Sequence, residues 1–286
     1  MIDVCNMQQI RELLNRYGFH FSKAKGQNFL NQRWVPERIA AESGVDASCG
    51  VLEIGPGFGS LTQALCTRAG KVVALEVDTS LAPVLAETMA DFDNLELRFT
   101  DALKADLPAL VQEKFAGLRP LACANLPYYI TSPVLTKLLE SRCFDAITVM
   151  VQKEVAQRIC ARAGAPDYSA FSILCQYHAE PELLFDVPAS CFVPQPKVTS
   201  AVVRLVRRAA PPAAIDSEAL FFRTVRASFA MRRKTLLNGL AAGFPQLPKA
   251  RLTELLAEAG LAPNVRGETL DIPAFAALSN RIGAAL

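Results

Sequence analysis

Short apolar segments alternate with helical segments through the first half of the chain, and this alternation limits the possible folds more than any other feature. Each apolar segment has the length and the β-branched content of a buried strand. Stretches with helical spacing, such as SLTQALCTRA and SPVLTKLLES, lie between them. The predicted strands are residues 51–55, 71–77, 95–100, 120–125 and 146–151. This alternation predicts an α/β fold, in which helices cover both faces of a parallel sheet.

The C-terminal part of the chain has a different pattern. A helix around 169–178 and strand-like runs at 183–187 and 198–206 complete the first predicted domain. The following stretch, RRAAPPAAIDS, is typical of a linker because its Pro-Pro pair disfavours a helix. Every longer segment beyond it has helical spacing. We therefore predict an α/β domain over residues 1–208 and a small all-helical domain over residues 209–286.

Composition excludes several classes of protein. Of the 286 residues, 51% are hydrophobic and 20% are charged, which is typical of a chain with a packed core. No apolar run is long enough to cross a membrane, and the first residues lack the pattern of a signal peptide, so we expect a cytoplasmic protein. The eight cysteines form no CxxC pair and only two histidines are present, so we expect free thiols and no metal site.

A glycine-rich turn, EIGPGFGSLT at residues 53–62, follows the first predicted strand. Gly55, Gly57 and Gly59 would let the backbone approach a ligand closely, although tight turns also use glycine for structural reasons. The G-x-G-x-G spacing differs from the G-x-G-x-x-G of dinucleotide folds, which argues against a nicotinamide-dependent dehydrogenase. The turn contains no Lys or Arg that could neutralise a phosphate. A nucleoside without phosphates, such as S-adenosylmethionine, therefore fits better than a nucleotide.

Polar side chains stand at the ends of the next three predicted strands. They are Glu76, Asp101 and Asn125, each one strand–helix unit after the last. In parallel sheets ligands bind at the carboxyl ends of the strands, and a carboxylate at Glu76 could accept hydrogen bonds from ribose hydroxyls. Any one of these residues could be a helix cap or a solvated loop residue. The whole series beside a glycine turn favours a cofactor site.

The segment Asn125-Leu126-Pro127-Tyr128-Tyr129 carries the candidate catalytic residues. The Asn amide and a carbonyl freed by Pro127 can accept both hydrogens of an exocyclic amine, and a tyrosine ring offers a stacking platform for a flipped base. Two acceptors would direct the nitrogen lone pair of adenine at a sulfonium methyl group, so no strong general base is required. Alone, the segment would more often be an ordinary Asn-Pro-aromatic turn than a catalytic one, and the cofactor pattern is what favours catalysis.

Positive charge is concentrated in one part of the chain, although the net charge is only +2. Nine basic residues lie between Lys197 and Lys234, and only Asp216 and Glu218 oppose them. This asymmetry indicates a polyanionic partner. For the basic run at 232–234 alone, a solvated helix face is an equally good interpretation.

These segments resemble the ribosomal RNA adenine N6-dimethyltransferases, most closely the bacterial enzymes of the small subunit. The matching segments are KAKGQNFL (23–30), EIGPGFGSLT (53–62), LEVD (75–78), DAL (101–103), NLPYYI (125–130), FVPQPKVTSAVVRL (192–205) and VRASFAMRRKTLLNGL (225–240). The resemblance implies a Rossmann-like fold of S-adenosylmethionine-dependent methyltransferases with a small all-helical C-terminal domain that binds RNA.

The resemblance also implies a cofactor-binding role for six residues. Asn28 and Leu30 would cover S-adenosylmethionine, and Gly55 would contact its amino-acid tail. Glu76 would hold the ribose, and Asp101 would bind the adenine amine. The sixth residue, which would touch both the cofactor and the target base, is Asn125.

Catalysis and RNA binding are assigned to two further sets by the same resemblance. The residues that would form the catalytic pocket for the target adenine are Asn125, Leu126, Pro127 and Tyr128. The residues that would contact RNA are Lys25, Arg226, Arg232, Arg233 and Lys234.

The implied substrate is a pair of adjacent adenosines in the 3′-terminal hairpin of small-subunit (16S) rRNA, each of which receives two methyl groups. The implied partner is the 30S subunit or its precursor, and we expect a monomer without metal or membrane contact. Two alternatives remain: methylation of an adenine of large-subunit (23S) rRNA, as in antibiotic-resistance enzymes, and a non-catalytic role in ribosome assembly. The complete GQNFL and RRKTLLN segments favour the small-subunit class, and the intact Asn125–Tyr128 segment favours an enzyme.

Overall fold

The chain forms two compact units in the computed structural model, which describes residues 2–18, 28–231 and 233–286. The first unit contains residues 1–156 and 181–207, and the second contains residues 157–180 and 208–286. The last of the three boundaries between the units, between residues 207 and 208, coincides with the predicted domain boundary to within one residue. Residues 157–180, which the sequence pattern places in the first domain, cluster with the second unit instead.

Seven strands form the main sheet, in the order β4-β3-β2-β5-β6-β9-β7. Strands β2 to β6 run parallel to their neighbours, and β9 is antiparallel to β6. The seven strands are β2 (Cys49–Ile54), β3 (Lys71–Glu76), β4 (Leu95–Phe99), β5 (Arg119–Asn125), β6 (Ala146–Gln152), β7 (Ala179–Val187) and β9 (Ser200–Arg207). Two further strands, β1 (Phe29–Leu30) and β8 (Phe192–Val193), pair with each other. The predicted α/β fold with five parallel strands is confirmed.

Helices connect the strands and make up most of the second unit. The helices of the first unit are α1 (Met7–Arg16), α2 (Trp34–Glu42), α3 (Ser60–Cys66), α4 (Ala82–Thr88), α5 (Leu107–Lys114) and α6 (Thr131–Ser141). The next helix, α7 (Lys153–Cys160), spans the boundary between residues 156 and 157. The second unit continues with α8 (Ala170–His178), α9 (Glu218–Phe229), α10 (Leu236–Gly243), α11 (Lys249–Glu258) and α12 (Ile272–Ala284). The predicted all-helical C-terminal region is confirmed.

The central strands read as continuous apolar runs because both of their faces are covered. All six residues of β2 are buried, and Val51 packs in one core with Val72 and Leu121 from the two neighbouring strands. Strands β3 and β4 extend the sheet on one side of β2, and β5 and β6 extend it on the other. The chain therefore reverses its direction of winding beside β2, and ligands bind at such a point in sheets of this type.

The second unit has its own aromatic core. Phe221, Phe244 and Phe275, all fully buried, come from three different segments of the helical region. Tyr177 of α8 packs into the same cluster. These apolar contacts are the physical reason why residues 157–180 group with the C-terminal helices. Within residues 2–18, 28–231 and 233–286, no helix combines the length and the hydropathy needed to cross a bilayer.

Candidate active site

A cleft at the carboxyl ends of the parallel strands brings the predicted site residues together. Its walls enclose about 1070 Å³, part of which is open to solvent. The predicted cofactor and catalytic residues that line it are Asn28, Leu30, Gly55, Glu76, Asp101, Asn125, Leu126, Pro127 and Tyr128. Residues separated by about a hundred positions along the chain therefore share one cleft, as the topology of the sheet requires.

The glycine turn has a backbone that side chains would not tolerate. Gly55 and Gly57 both have left-handed φ angles, +71° and +60°. A Cβ atom on Gly57 would lie 2.9 Å from the ring of Phe29, whereas a Cβ on Gly55 would meet nothing within 4 Å. Because Gly55 also lines the cleft, a ligand can approach its backbone directly.

Glu76 ends β3 and is held in place by backbone donors. Its Oε1 accepts the N–H of Asp78 at 2.8 Å, and its Oε2 accepts the N–H of Gly57 at 3.4 Å. Burial raises the pKa of this carboxyl, while the backbone N–H groups partly offset the effect. Each oxygen retains a lone pair, so the carboxylate can still accept hydrogen bonds from two vicinal hydroxyls.

Glu53 is a cleft residue that the sequence analysis missed. Its side chain is 1% exposed, and its Oε2 makes no hydrogen bond within the described part of the chain. Burial raises its pKa from the usual 4.5 to about 8; the nearby Thr62 hydroxyl offsets part of this effect, and the charge of Glu76 adds to it. The signal was present in the sequence, since a glutamate in the middle of an apolar strand is costly unless a partner or a ligand compensates it.

A backbone hydrogen bond between the ends of β3 and β4 brings Asp101 close to Glu76. The N–H of Thr100 donates to the Glu76 carbonyl at 2.8 Å, which fixes the loop after β4 against the end of β3. One carboxylate oxygen of Asp101 accepts the N–H of Leu103 at 2.9 Å. The other oxygen can serve as an acceptor for an amine in the cleft.

The segment Asn28–Leu30 covers the glycine turn from the N-terminal side. The ring of Phe29 stacks on Phe58 with a centroid distance of 3.7 Å and an interplanar angle of 14°. The short pairing between β1 and β8 holds the same segment from its other edge, and the Leu30 carbonyl accepts the hydroxyl of Ser60 at 3.4 Å. Asn28 and Leu30 are therefore fixed next to the cleft by packing around Phe29.

Asn125 has a defined amide orientation. Its Nδ2 donates to the backbone carbonyl of Asn28 at 3.2 Å. An amide that donates through Nδ2 on one side presents Oδ1, an acceptor, on the other side. Oδ1 of Asn125, a residue that lines the cleft, is therefore the end of the amide that can accept a hydrogen bond.

The residues after Asn125 form a short turn with one carbonyl still available. The Pro127 carbonyl accepts the N–H of Ile130 at 3.2 Å and the hydroxyl of Thr131 at 3.3 Å. In the described part of the chain no hydrogen bond engages the Leu126 carbonyl, so this carbonyl is available to accept a hydrogen bond. Tyr128 is half-buried, and its hydroxyl lies 2.8 Å from the Oγ of Ser200, a residue that the sequence analysis did not single out.

Comparison with known proteins identifies the family of the chain. A family model described as ribosomal RNA adenine dimethylase matches residues 18–282. The chain belongs to this family. The Ribosomal RNA small subunit methyltransferase A of Geobacillus thermodenitrificans is 45% identical to this dimethylase over 98% of the chain and 97% of the relative.

Two solved structures resemble this dimethylase over most of its length. A dimethyladenosine transferase from Plasmodium falciparum is 26% identical with a TM-score of 0.71, over 87% of this chain and 95% of that one. The 23S rRNA methyltransferase ErmE is 29% identical with a TM-score of 0.66, over 90% and 100% of the two chains. The chain is therefore an S-adenosylmethionine-dependent methyltransferase that acts on adenine in ribosomal RNA, and the nicotinamide-dependent alternative is excluded.

The residues of the cleft fit S-adenosylmethionine. The cofactor carries a ribose, an adenine and an amino-acid tail with positive charge. Glu76 and Asp101 offer carboxylate acceptors at neighbouring strand ends, and the open space above Gly55 admits a ligand. Within the described residues, Glu53 provides a buried carboxyl oxygen, Oε2, without a hydrogen-bond partner, and a nearby positive charge would stabilise this carboxyl in its ionised form.

The predicted RNA-binding residues lie in two places in the chain. Arg226, Arg233 and Lys234 are exposed in the second unit, and none of them forms an ion pair with another described residue. Lys25 and Arg232 lie outside the described residues. Other basic side chains of the predicted patch are engaged: Arg207 pairs with Asp145, Arg208 pairs with Glu180, and Arg223 donates to the Gly243 carbonyl.

Proposed function

We propose that the chain transfers four methyl groups from S-adenosylmethionine to the N6 amines of two adjacent adenosines in the 3′-terminal hairpin of small-subunit (16S) rRNA. The cleft carries this proposal, since acceptors for an exocyclic amine face the same space as a cofactor site. The name of the relative at 45% identity supports the small subunit as the substrate. A hairpin loop also offers unstacked bases that can enter a pocket.

On the cofactor side, we assign a contact to each predicted residue. Glu76 accepts hydrogen bonds from the ribose, Asp101 accepts one from the adenine amine, and the backbone at Gly55 contacts the amino-acid tail. Asn28 and Leu30 cover the bound molecule, and Asn125 contacts it from the side of the substrate. When bound, S-adenosylmethionine supplies an activated methyl group on a sulfonium centre.

On the substrate side, the chain positions the amine and stabilises its reactive geometry. Asn125 Oδ1 and the Leu126 carbonyl each accept one hydrogen of the adenine N6 amine, which favours a more tetrahedral nitrogen. Pro127 sets the turn that carries Tyr128, and the ring of Tyr128 stacks on the target base. These contacts supply much of the rate by positioning alone, so no strong base is needed.

The RNA backbone is held by basic residues outside the cleft. We assign this role to Arg226, Arg233 and Lys234, which are exposed, and to Lys25 and Arg232 on the strength of the sequence. Contacts of this kind raise affinity and salt dependence but carry little sequence information. We further propose that the protein acts in the cytoplasm on the 30S subunit or its precursor, as a monomer without a metal ion, with a role in 30S biogenesis.

Methylation of large-subunit rRNA is the second candidate function. The structural similarity to ErmE, a 23S rRNA methyltransferase, favours it, because that similarity extends over the whole of the ErmE chain. Incubating the purified protein with isolated 30S and 50S particles and labelled S-adenosylmethionine separates the two functions. Label in 16S rRNA, located by mass spectrometry at two adjacent dimethyladenosines, is the expected result, and label in 50S particles alone would overturn the proposal.

A non-catalytic assembly factor is the third possibility. Asn125→Ala discriminates it from the enzyme, because the variant should lose methylation while it retains RNA binding. If rRNA from cells without this protein kept its dimethyladenosines, the enzymatic role in those cells would be refuted.

A further inference from the structure

The ring of Tyr128 must keep one orientation if it stacks on the target base. Tyr128 begins a short 3₁₀ turn, Tyr128–Ile130, that contains no fully buried side chain. Such a turn has little packing of its own to restrain an aromatic ring. The hydroxyl of Tyr128, however, lies 2.8 Å from the Oγ of Ser200, which is 72 residues further along the chain. This hydrogen bond connects the turn to a distant part of the fold.

Ser200 is fixed by the main sheet. It is the first residue of β9 and pairs with Gln152 in the antiparallel ladder with β6. The preceding carbonyl, that of Thr199, accepts the N–H of Lys153 at 3.0 Å. Ser200 is 0% exposed and does not line the cleft. Its Oγ therefore offers a stationary partner behind the cleft wall.

The contact joins two neutral hydroxyls. Burial raises the pKa of the Tyr128 phenol, so the phenol remains protonated at neutral pH. A serine hydroxyl does not ionise in this range either. Neither group is ionised at neutral pH, so neither is a strong base for the reaction, and the role left to the contact is to fix geometry. The phenol oxygen is hydrogen-bonded to Ser200, which does not line the cleft. The hydroxyl is therefore directed away from the space where the base would bind.

We propose that Ser200 is a positioning residue of the methyl-transfer reaction: it binds the Tyr128 hydroxyl behind the cleft wall, so that the ring presents its face to the extruded adenine. The inference rests on the proposed function, because it assumes that this ring contacts the target base. Without Ser200, the half-buried phenol loses its hydrogen-bond partner, and the ring turns to bring its hydroxyl to water or into the cleft. A stacked base would then be displaced relative to the methyl donor, and displacements of this size reduce the rate strongly.

A double-mutant cycle with Ser200→Ala and Tyr128→Phe tests the proposal. The measured quantities are kcat and KM for 30S particles, and the Kd of S-adenosylmethionine by calorimetry. Ser200→Ala should lower kcat about 10-fold or more when Tyr128 is present, since a misplaced ring costs reactive geometry. In the Tyr128→Phe background the same change should lower kcat less than about 3-fold, because no hydroxyl remains to lose its partner. The Kd of S-adenosylmethionine should stay within about 2-fold throughout, since neither hydroxyl is assigned to the cofactor.

Ser43→Ala is the matched control, because Ser43 is also a buried serine of the first unit and its Oγ donates to a backbone carbonyl, that of Ile39. This variant should lose thermal stability without the loss of kcat. If Ser200→Ala does not fold, Ser200→Cys, which is close in size and a poor donor, takes its place in the cycle.

Two outcomes would overturn the proposal: an unchanged kcat in the Ser200 variant, or an equal loss of kcat in both Tyr128 backgrounds. A wild-type protein that did not methylate 30S particles would instead refute the proposed function. The failure of the positioning role and the failure of the proposed function are thus distinguishable.

Discussion

Burial of Glu53 predicts that the affinity for S-adenosylmethionine depends on pH. In the free protein its pKa is about 8, so the carboxyl is protonated at neutral pH. The bound cofactor brings a sulfonium and an ammonium group to the cleft that Glu53 lines. A nearby positive charge favours the ionised carboxylate and lowers its pKa. Binding should therefore release a proton at pH values between the bound-state pKa and about 8.

The expected magnitude follows from the two protonation equilibria. If the pKa falls from about 8 to 6 or below on binding, the Kd at pH 7.5 should be about 10- to 25-fold lower than the Kd at pH 6.0. The Kd falls as the pH rises because binding lowers the pKa of Glu53. At low pH the carboxyl is protonated, and it must lose its proton before it can stabilise the positive charge of the cofactor. The comparison of Kd values stops at pH 7.5, because the α-amino group of the cofactor would begin to lose its own proton at higher pH. The reference pKa of an α-amino group is about 7.7 to 8.0.

Calorimetric titration in two buffers with different ionisation enthalpies measures both the Kd and the number of protons released. Glu53→Gln should bind with a smaller pH dependence, and the remainder should come from Glu76, whose pKa is also raised by burial. Glu113→Gln, a change at an exposed carboxylate on α5, is the control and should behave as the wild type. A Kd that stays constant between pH 6.0 and 7.5, or a Glu53→Gln variant with the full dependence, would refute the reasoning.

Three further changes have defined outcomes. Asn125→Asp should reduce methyl transfer at least about 100-fold in a label-incorporation assay, because a carboxylate cannot donate to the Asn28 carbonyl and loses its fixed orientation. Gly57→Ala should lower the Tm by about 2 to 8 °C in a thermal melt, because it combines a left-handed φ with a Cβ atom 2.9 Å from Phe29; a melt identical to wild type would contradict this. Replacing Arg233 and Lys234 together with alanine should lower the slope of log affinity against log salt for RNA by about one unit per lost phosphate contact, and an unchanged slope would remove them from the RNA interface.

Much of the fold could be predicted from the sequence because local patterns encode it. Buried parallel strands are continuous apolar runs, so the five segments from 51 to 151 were recognisable without any tertiary information. The ends of these strands then placed Gly55, Glu76, Asp101 and Asn125 at one edge of the sheet. The topology requires this, since consecutive parallel strands end on the same side.

The grouping of residues 157–180 could not be predicted in the same way. Their helical pattern is compatible with packing in either unit. The unit to which they belong depends on which apolar surface their side chains pack against. Tyr177 packs with Phe221, with ring centroids 5.2 Å apart. Such a contact joins positions 44 residues apart and leaves no periodic signal in the sequence.

The sequence by itself determined the class of the fold and the residue types that line the cleft at the carboxyl edge of the sheet, because strand ends and glycine turns are local features. Only the tertiary structure decided the orientation of the Asn125 amide, the burial of Glu53 near Glu76 and the partner of Tyr128. Each of these depends on a second residue that is distant in sequence: Asn28, Glu76 and Ser200. The direction of an amide, the desolvation of a carboxyl and the partner of a hydroxyl all depend on groups that are near in space but distant in sequence. The identity of a single residue therefore does not predict them.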